Sequence, residues 1–185
     1  LDDPSSNSYA GITNTTSLSF TTPDTIAPTL ASSTPADNAT AVAVNSNIVL
    51  TFSEAVDVES GNIVIKKTSD NSTVETIDVT SGQVTGTGTN QITINPSSDL
   101  ASSTEYYVQI AATALDDPSS NSYAGITNTT SLSFTTADII SPTLASSTPA
   151  DNATAVAVDS NIVLTFTEAV DVESGNIVIK KTSDN

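Results

Sequence analysis

Residues 47–52 read NIVLTF, and this stretch decides the fold. Side chains alternate across an extended chain with a period of two, so Ile48, Leu50 and Phe52 share one face and Val49 and Thr51 the other. β-Branched and aromatic residues favour a pleated, half-buried strand. The reading extends outward on both sides. Residues 29–34 and 39–44 are expected to form a first strand, broken at Pro35-Ala36-Asp37-Asn38. Proline cannot donate to a ladder, so that break belongs at a sheet edge. Downstream, residues 53–61 form an expected polar loop, and residues 62–68 a strand with Ile63 and Ile65 inward. Residues 74–80 and 83–85 flank a turn at Ser81-Gly82. Residues 91–95 turn Ile92 and Ile94 inward, and residues 105–111 put Tyr106, Val108 and Ile110 on one face. A long loop at 116–128 leads to a last strand at 130–135, with Leu132 and Phe134 inward. No stretch sustains a helical period.

Roughly seven or eight short antiparallel strands within about 110 residues fit an all-β, immunoglobulin-like β-sandwich with Greek-key connections. The chain holds more than one copy of this pattern. LDDPSSNSYAGITNTTSLSFTT at residues 1–22 returns at 115–136, and residues 1–71 overlay residues 115–185 without a gap, a period of 114 residues. Of those 71 pairs only five differ: Pro23/Ala137, Thr25/Ile139, Ala27/Ser141, Asn45/Asp159 and Ser53/Thr167. Such a period is too long for a solenoid turn and fits a whole small domain. The expected organisation is residues 1–24 as the last loop and strand of one repeat, 25–137 as a complete repeat, and 138–185 as the first part of the next. The sequence reads as an excerpt from a longer array.

Composition narrows the chemistry. Four lysines are the only basic residues, and 21 carboxylates leave a net charge of −17. Phosphate recognition needs a basic footprint, so nucleic acid and anionic membrane surfaces are not expected partners. No segment reads as inserting into a membrane. Cys and His are both absent, which removes thiol catalysis, the usual general base and zinc-type ligation. No nucleophile–base set is present, and no enzymatic activity is expected. The Ser- and Thr-rich tracts alternate with Ile, Val, Leu and Phe, a folded β surface and not a disordered one.

Three tracts carry a resemblance to a known family: APTLASSTPADNATAVAVNSNIVLTFSEAVD at 27–57, EYYVQIAATALDDPSSNSYAG at 105–125 and LSFTT at 132–136. The repeat resembles the bacterial immunoglobulin-like domains that occur in tandem on surface-layer proteins and large secreted adhesins. The resemblance implies an extracellular location at the bacterial cell surface. It also implies work as a structural spacer, a length of fibre or stalk projecting a tip for cell adhesion or biofilm growth. The alternatives are a module that itself binds carbohydrate or protein, and a subunit that exchanges strands with other copies into a polymeric fibre. The expected partners are neighbouring identical repeats.

The carboxylates cluster. Glu54, Asp57 and Glu59 follow Phe52, Asp116 and Asp117 open the long loop, and Asp24 precedes the repeat. In an immunoglobulin-like topology these positions converge at one pole, where a module meets its predecessor. The next junction repeats the set with Asp138, Glu168, Asp171 and Glu173. Hard oxygen donors without His or Cys suit Ca2+, with backbone carbonyls and Asn62 or Asn121 completing the shell. The competing reading is a set of solvated polar loops, and the spacing matches no local calcium-loop motif.

Other motifs read as structural. Asp2-Asp3-Pro4 and Asp116-Asp117-Pro118 are paired carboxylates, but turn initiation before Pro explains them better than glycosidase chemistry. Tyr106 or Tyr107 is placed to form a tyrosine corner. Gly86-Thr87-Gly88 reads as a hairpin turn, and Lys66-Lys67 as charge on an edge strand. Asn38-Ala39-Thr40, Asn71-Ser72-Thr73 and Asn128-Thr129-Thr130 match the glycosylation sequon, as a chain this rich in Asn, Ser and Thr will by chance. The connections at 23–27 and 137–141 lack glycine and predict a semi-rigid link, with Ile26 and Ile140 packed across it.

Overall fold

The computed structural model describes residues 1–181; the last four residues of the expected third segment lie outside the described set. The chain forms two compact units, Leu1–Asp138 and a second that begins at Ile139. Ten strands make up the first: β1 (Leu30–Thr34), β2 (Ala39–Val42), β3 (Ile48–Val58), β4 (Asn62–Lys67), β5 (Thr73–Asp78), β6 (Val84–Thr85), β7 (Thr89–Ile94), β8 (Glu105–Ile110), β9 (Leu115–Asp116) and β10 (Ser133–Thr136). They build an all-β sandwich. One sheet has the order β1-β3-β7-β6, with β9 also paired to β3, and the other the order β2-β10-β8-β4-β5. The second unit contains β11 (Leu144–Thr148) and β12 (Val163–Phe166), an antiparallel pair in the same register as β1 and β3.

The inward faces are those the alternation marks. Ile48, Leu50, Phe52, Ile63, Ile65, Ile92, Ile94, Tyr106, Val108, Ile110, Leu132 and Phe134 are all buried in one core between the sheets. Gly86 and Gly88 both adopt positive φ in the β6–β7 hairpin, as the turn reading requires. Tyr106 forms the tyrosine corner: its hydroxyl accepts the Ala101 N–H at 2.9 Å. Its neighbour Tyr107, on the opposite face, donates to Asn71 Oδ1 at 3.0 Å.

Several expectations change. The first strand is two strands in different sheets, because the Pro35–Asn38 break carries the chain from β3 across to β10. Residues 53–58 are not a loop. β3 runs on to Val58, where Val56 is fully buried and Asp57 and Val58 pair with Asp116 and Leu115 of β9. Ser53 and Glu54 interrupt the apolar alternation, which resumes at the buried Val56. Lys66 and Lys67 do not protect an edge, since β4 lies between β8 and β5; both are half-buried and pair in register with Tyr107 and Tyr106. Ile26 stands 72% exposed, so it does not pack across the connection.

Tyr106→Phe keeps the apolar body of this side chain and removes the acceptor for the Ala101 N–H. The expected cost is about 1–3 kcal/mol, that of leaving a shielded donor unpaired. Urea unfolding of the full chain, compared with Tyr107→Phe, measures it.

Candidate metal centre

The site is assembled from three segments, each fixed by backbone bonds. The incoming chain is held to β3 by a reciprocal pair: Ser53 N–H donates to Thr29 O at 2.9 Å, and Thr29 N–H to Ser53 Oγ at 3.0 Å. That contact brings the connection carrying Asp24 alongside Glu54. The loop after β9 is fastened to the same strand. Tyr123 packs edge-on against Phe52, with ring centroids 5.2 Å apart at 80°, a favoured aromatic geometry. Ile126 is buried, and its backbone exchanges two bonds with Ile110 at 2.9 Å. Gly125, at φ 74°, permits this approach, because a Cβ there would collide with the Ile110 carbonyl.

Within that loop Asp117 is the organising residue. Its Oδ1 accepts the N–H groups of Ser119 (2.9 Å) and Asn121 (2.8 Å), and its Oδ2 accepts Asn121 Nδ2 at 2.9 Å. This Asx-type turn is the turn initiation expected of Asp-Asp-Pro. The same sequence at Asp3 folds the same way, with Ser5, Asn7 and the Asn7 amide donating at 2.8, 2.9 and 2.9 Å. Asn121 Nδ2 also reaches the Asp24 carbonyl at 3.3 Å, tying the connection to the loop. Asn121 thus holds two members of the cluster in place as a donor, where the sequence suggested a ligand. Asp24 in turn caps its own turn, accepting Ile26 N–H at 3.0 Å.

The outcome is a group of three carboxylates. Oxygens of Asp24, Glu54 and Asp117 lie within 4.8 Å of one another. Asp24 is exposed and Glu54 half-buried, while Asp117 is 2% exposed. Their electrostatics oppose one another. Glu54 is pushed above the ordinary carboxyl range by desolvation, then by the negative charges of Asp24 and Asp117. Asp117 is held below it chiefly by the Asn121 side-chain amide; burial works the other way, and the Asn121 and Ser119 N–H groups add to the lowering. The ionised form of Asp117 is thus favoured while that of Glu54 is disfavoured.

The remaining sequence candidates lie elsewhere. Asp57 and Asp116 face each other across β3 and β9, with Thr87 Oγ1 donating to Asp57 Oδ1 at 3.3 Å. Glu59 is exposed, and its N–H donates to the Ala114 carbonyl. Asn62 belongs to an open groove with Gly61, Val64 and Gln109. Asp138 accepts Ser102 Oγ at 3.1 Å in the first unit. In the second unit Asp171 and Glu173 are exposed, while Glu168 buries Oε1 with no hydrogen-bond partner. The contacts that position the cluster, Thr29–Ser53 and Phe52–Tyr123, carried no sequence signal beyond residue type, since both join segments far apart in the chain.

Glu54→Gln removes the like charge from the cluster. The folded-state pKa of Glu54 lies above its ordinary value of 4.5, so the folded chain binds that proton more tightly than the unfolded one. Stability from this group therefore falls as pH rises from 4.5 through the raised value. Asp117 has the opposite sign: its contribution is complete above the ordinary 3.8 and is lost as pH falls through the lowered value. In chelator, Glu54→Gln is expected to raise the thermal midpoint at about pH 7 and to leave it unchanged near about pH 3.5, where Glu54 is protonated anyway. Calorimetric melting across that range checks both.

No curated protein sequence matches this chain. Among solved structures, CopC from Methylosinus trichosporium OB3b is similar with a TM-score of 0.44 and 17% identity, over 62% of this chain and 97% of that one. An S-layer protein is similar with a TM-score of 0.42 and 16% identity, over 66% of this chain and 16% of that one. The sequence model of the bacterial Ig-like domain matches residues 24–136 and again residues 138–185. Two successive matches cover most of the sequence, and the chain belongs to the bacterial Ig-like domain family.

Proposed function

We propose that the chain is a length of structural spacer in an extracellular fibre or adhesin on the bacterial cell surface, and that Ca2+ held by Asp24, Glu54 and Asp117 stiffens the connection entering each module. Its role is mechanical and not catalytic. Family membership, near-identical repetition and a charge of −17 that keeps neighbouring copies apart all support the reading.

The observation that carries the calcium reading is the origin of the three carboxylates. Asp24 belongs to the connection, Glu54 to β3 and Asp117 to the loop after β9, and their oxygens lie within 4.8 Å of one another. Calcium–oxygen bonds of about 2.4 Å put two ligands on opposite sides of one ion about 4.8 Å apart. The separation thus suits a shared cation. Without one, three carboxylates repel at short range. With one, the connection is tied to the module by bonds that a flexible linker lacks. Water and backbone carbonyls supply the remaining oxygens that calcium requires.

Titration calorimetry and melting of the full chain with CaCl2 test this. A hundredfold excess over Kd is expected to raise the midpoint of the first unit by on the order of 10 °C. Glu54→Gln abolishes that increment while the variant remains folded. Absence of binding heat together with an unchanged midpoint overturns the calcium reading. Protease shaving of intact producing cells tests the location, and a chain released only after lysis overturns it.

A further inference from the structure

We infer that the β2·β10 pair is a shear latch that sets how strongly the module resists being pulled lengthwise; its biological use rests on the spacer reading, while its mechanics rest on topology. β3 runs toward the pole where Val58 meets Leu115, and β1, antiparallel to it, runs away from that pole. β8 runs toward the same pole, because its Ile110 end pairs with Ile63 at the start of β4. β10 is antiparallel to β8 and so runs away, and β2 runs parallel to β10. The chain therefore comes in beside Asp24 and Glu54 and leaves at the opposite pole. Tension on the array draws β1 and β2 toward the first pole and β10 toward the second.

β2 and β10 lie side by side, as the one parallel pair among the described strands. They join the two loaded ends of the module directly. Pulled in opposite directions along their lengths, they slide past each other, so the bonds between them are loaded together and not opened one at a time.

This short pair is reinforced at both ends. Asn38 N–H donates to Ser133 O at 2.7 Å, and Ala137 N–H to Val42 O at 2.7 Å. Asp37 Oδ1 accepts both the N–H (2.9 Å) and the Oγ (3.1 Å) of Ser133. β10 is anchored from behind by Thr136, whose Oγ1 donates to Ala101 O at 2.6 Å and accepts Thr104 N–H at 3.0 Å. Ser133 and Thr136 are only 5% and 3% exposed, so the β10 side of these bonds is shielded from water. Resistance to force is set by the unfolding barrier and not by equilibrium stability. These contacts place that barrier on the strands that carry the load.

The chain contains no Cys, so paired cysteines give unique handles for single-molecule pulling of the full chain in EDTA. Handles at Thr25→Cys and Ala137→Cys load the latch in shear. Handles at Asn45→Cys and Ala137→Cys pull its two ends apart at one pole and unzip it. The unfolding force in shear is expected to exceed the unzipping force by roughly twofold or more at the same loading rate. Asp37→Ala lowers the shear force and leaves the unzipping force little changed. Glu75→Gln, which loosens β5 from Gln83 and Ser97, changes neither. Equal forces in the two geometries overturn the latch, and that comparison stands even if Asp37→Ala fails to fold. Working in EDTA keeps the outcome separate from calcium binding, and pulling purified chain keeps it separate from the cellular location.

Discussion

Burial of the inward face of β3 is the constraint on which the rest of the module depends. Ile48, Leu50, Phe52 and Val56 lie on one side of a single strand, each at most 2% exposed, and the strand pairs with β1, β7 and β9. A one-residue slip would turn all four toward solvent and bring the polar neighbours inward. Register is therefore fixed on either side of an irregularity between Thr51 and Val56, and Glu54 is carried to a position beside the incoming connection. The cluster of carboxylates is thus a consequence of core packing. Each member is delivered by a segment whose location the hydrophobic face of β3 settles.

The strands whose alternation is strong were legible residue by residue, because period-two patterning is a local property. The tyrosine corner at Tyr106 was legible for a related reason: the hydroxyl and the N–H that donates to it lie five residues apart. What escaped is non-local. The continuation of β3 past Phe52 depends on pairing with β9, from the far end of the repeat, and the polar run Ser53-Glu54 masks it. The division of the first strand between two sheets depends on β10, almost a full repeat away. Lys66 and Lys67 read as edge charges because sequence does not reveal that β5 lies outside them. The grouping of Asp24, Glu54 and Asp117 followed from topology, but the exclusion of Asp57, Glu59 and Asp116 required the pairing of β3 with β9.

The repeat supplies an internal control on these arguments. Asp3 and Asp117 occupy identical sequence and form the same hydrogen-bonded turn, so that turn needs nothing beyond its own residues. Phe20 and Phe134 also share their sequence, yet Phe20 is 86% exposed and Phe134 only 2%. Burial is a property of the partner strands. The same division holds in the second unit, where Thr143 and Thr167 repeat the bonds of Thr29 and Ser53. The contacts that shape the carboxylate site locally are thus encoded in each repeat, while its rigidity comes from the sandwich behind it.

That separation explains how a cluster of like charges persists in a stable fold. Donors from its own turn favour the ionised form of Asp117. Glu54 bears the conflict, since burial and the charges beside it both disfavour its ionised form. An uncharged residue at that place would relieve the conflict. A position where an easy stabilising change exists but a charge stands is where stability and function are expected to pull apart. A divalent cation reverses the sign of the local field and converts the repulsion into an attraction between connection and module. On the proposed calcium reading, the tension at Glu54 is the cost of a junction that closes around a cation.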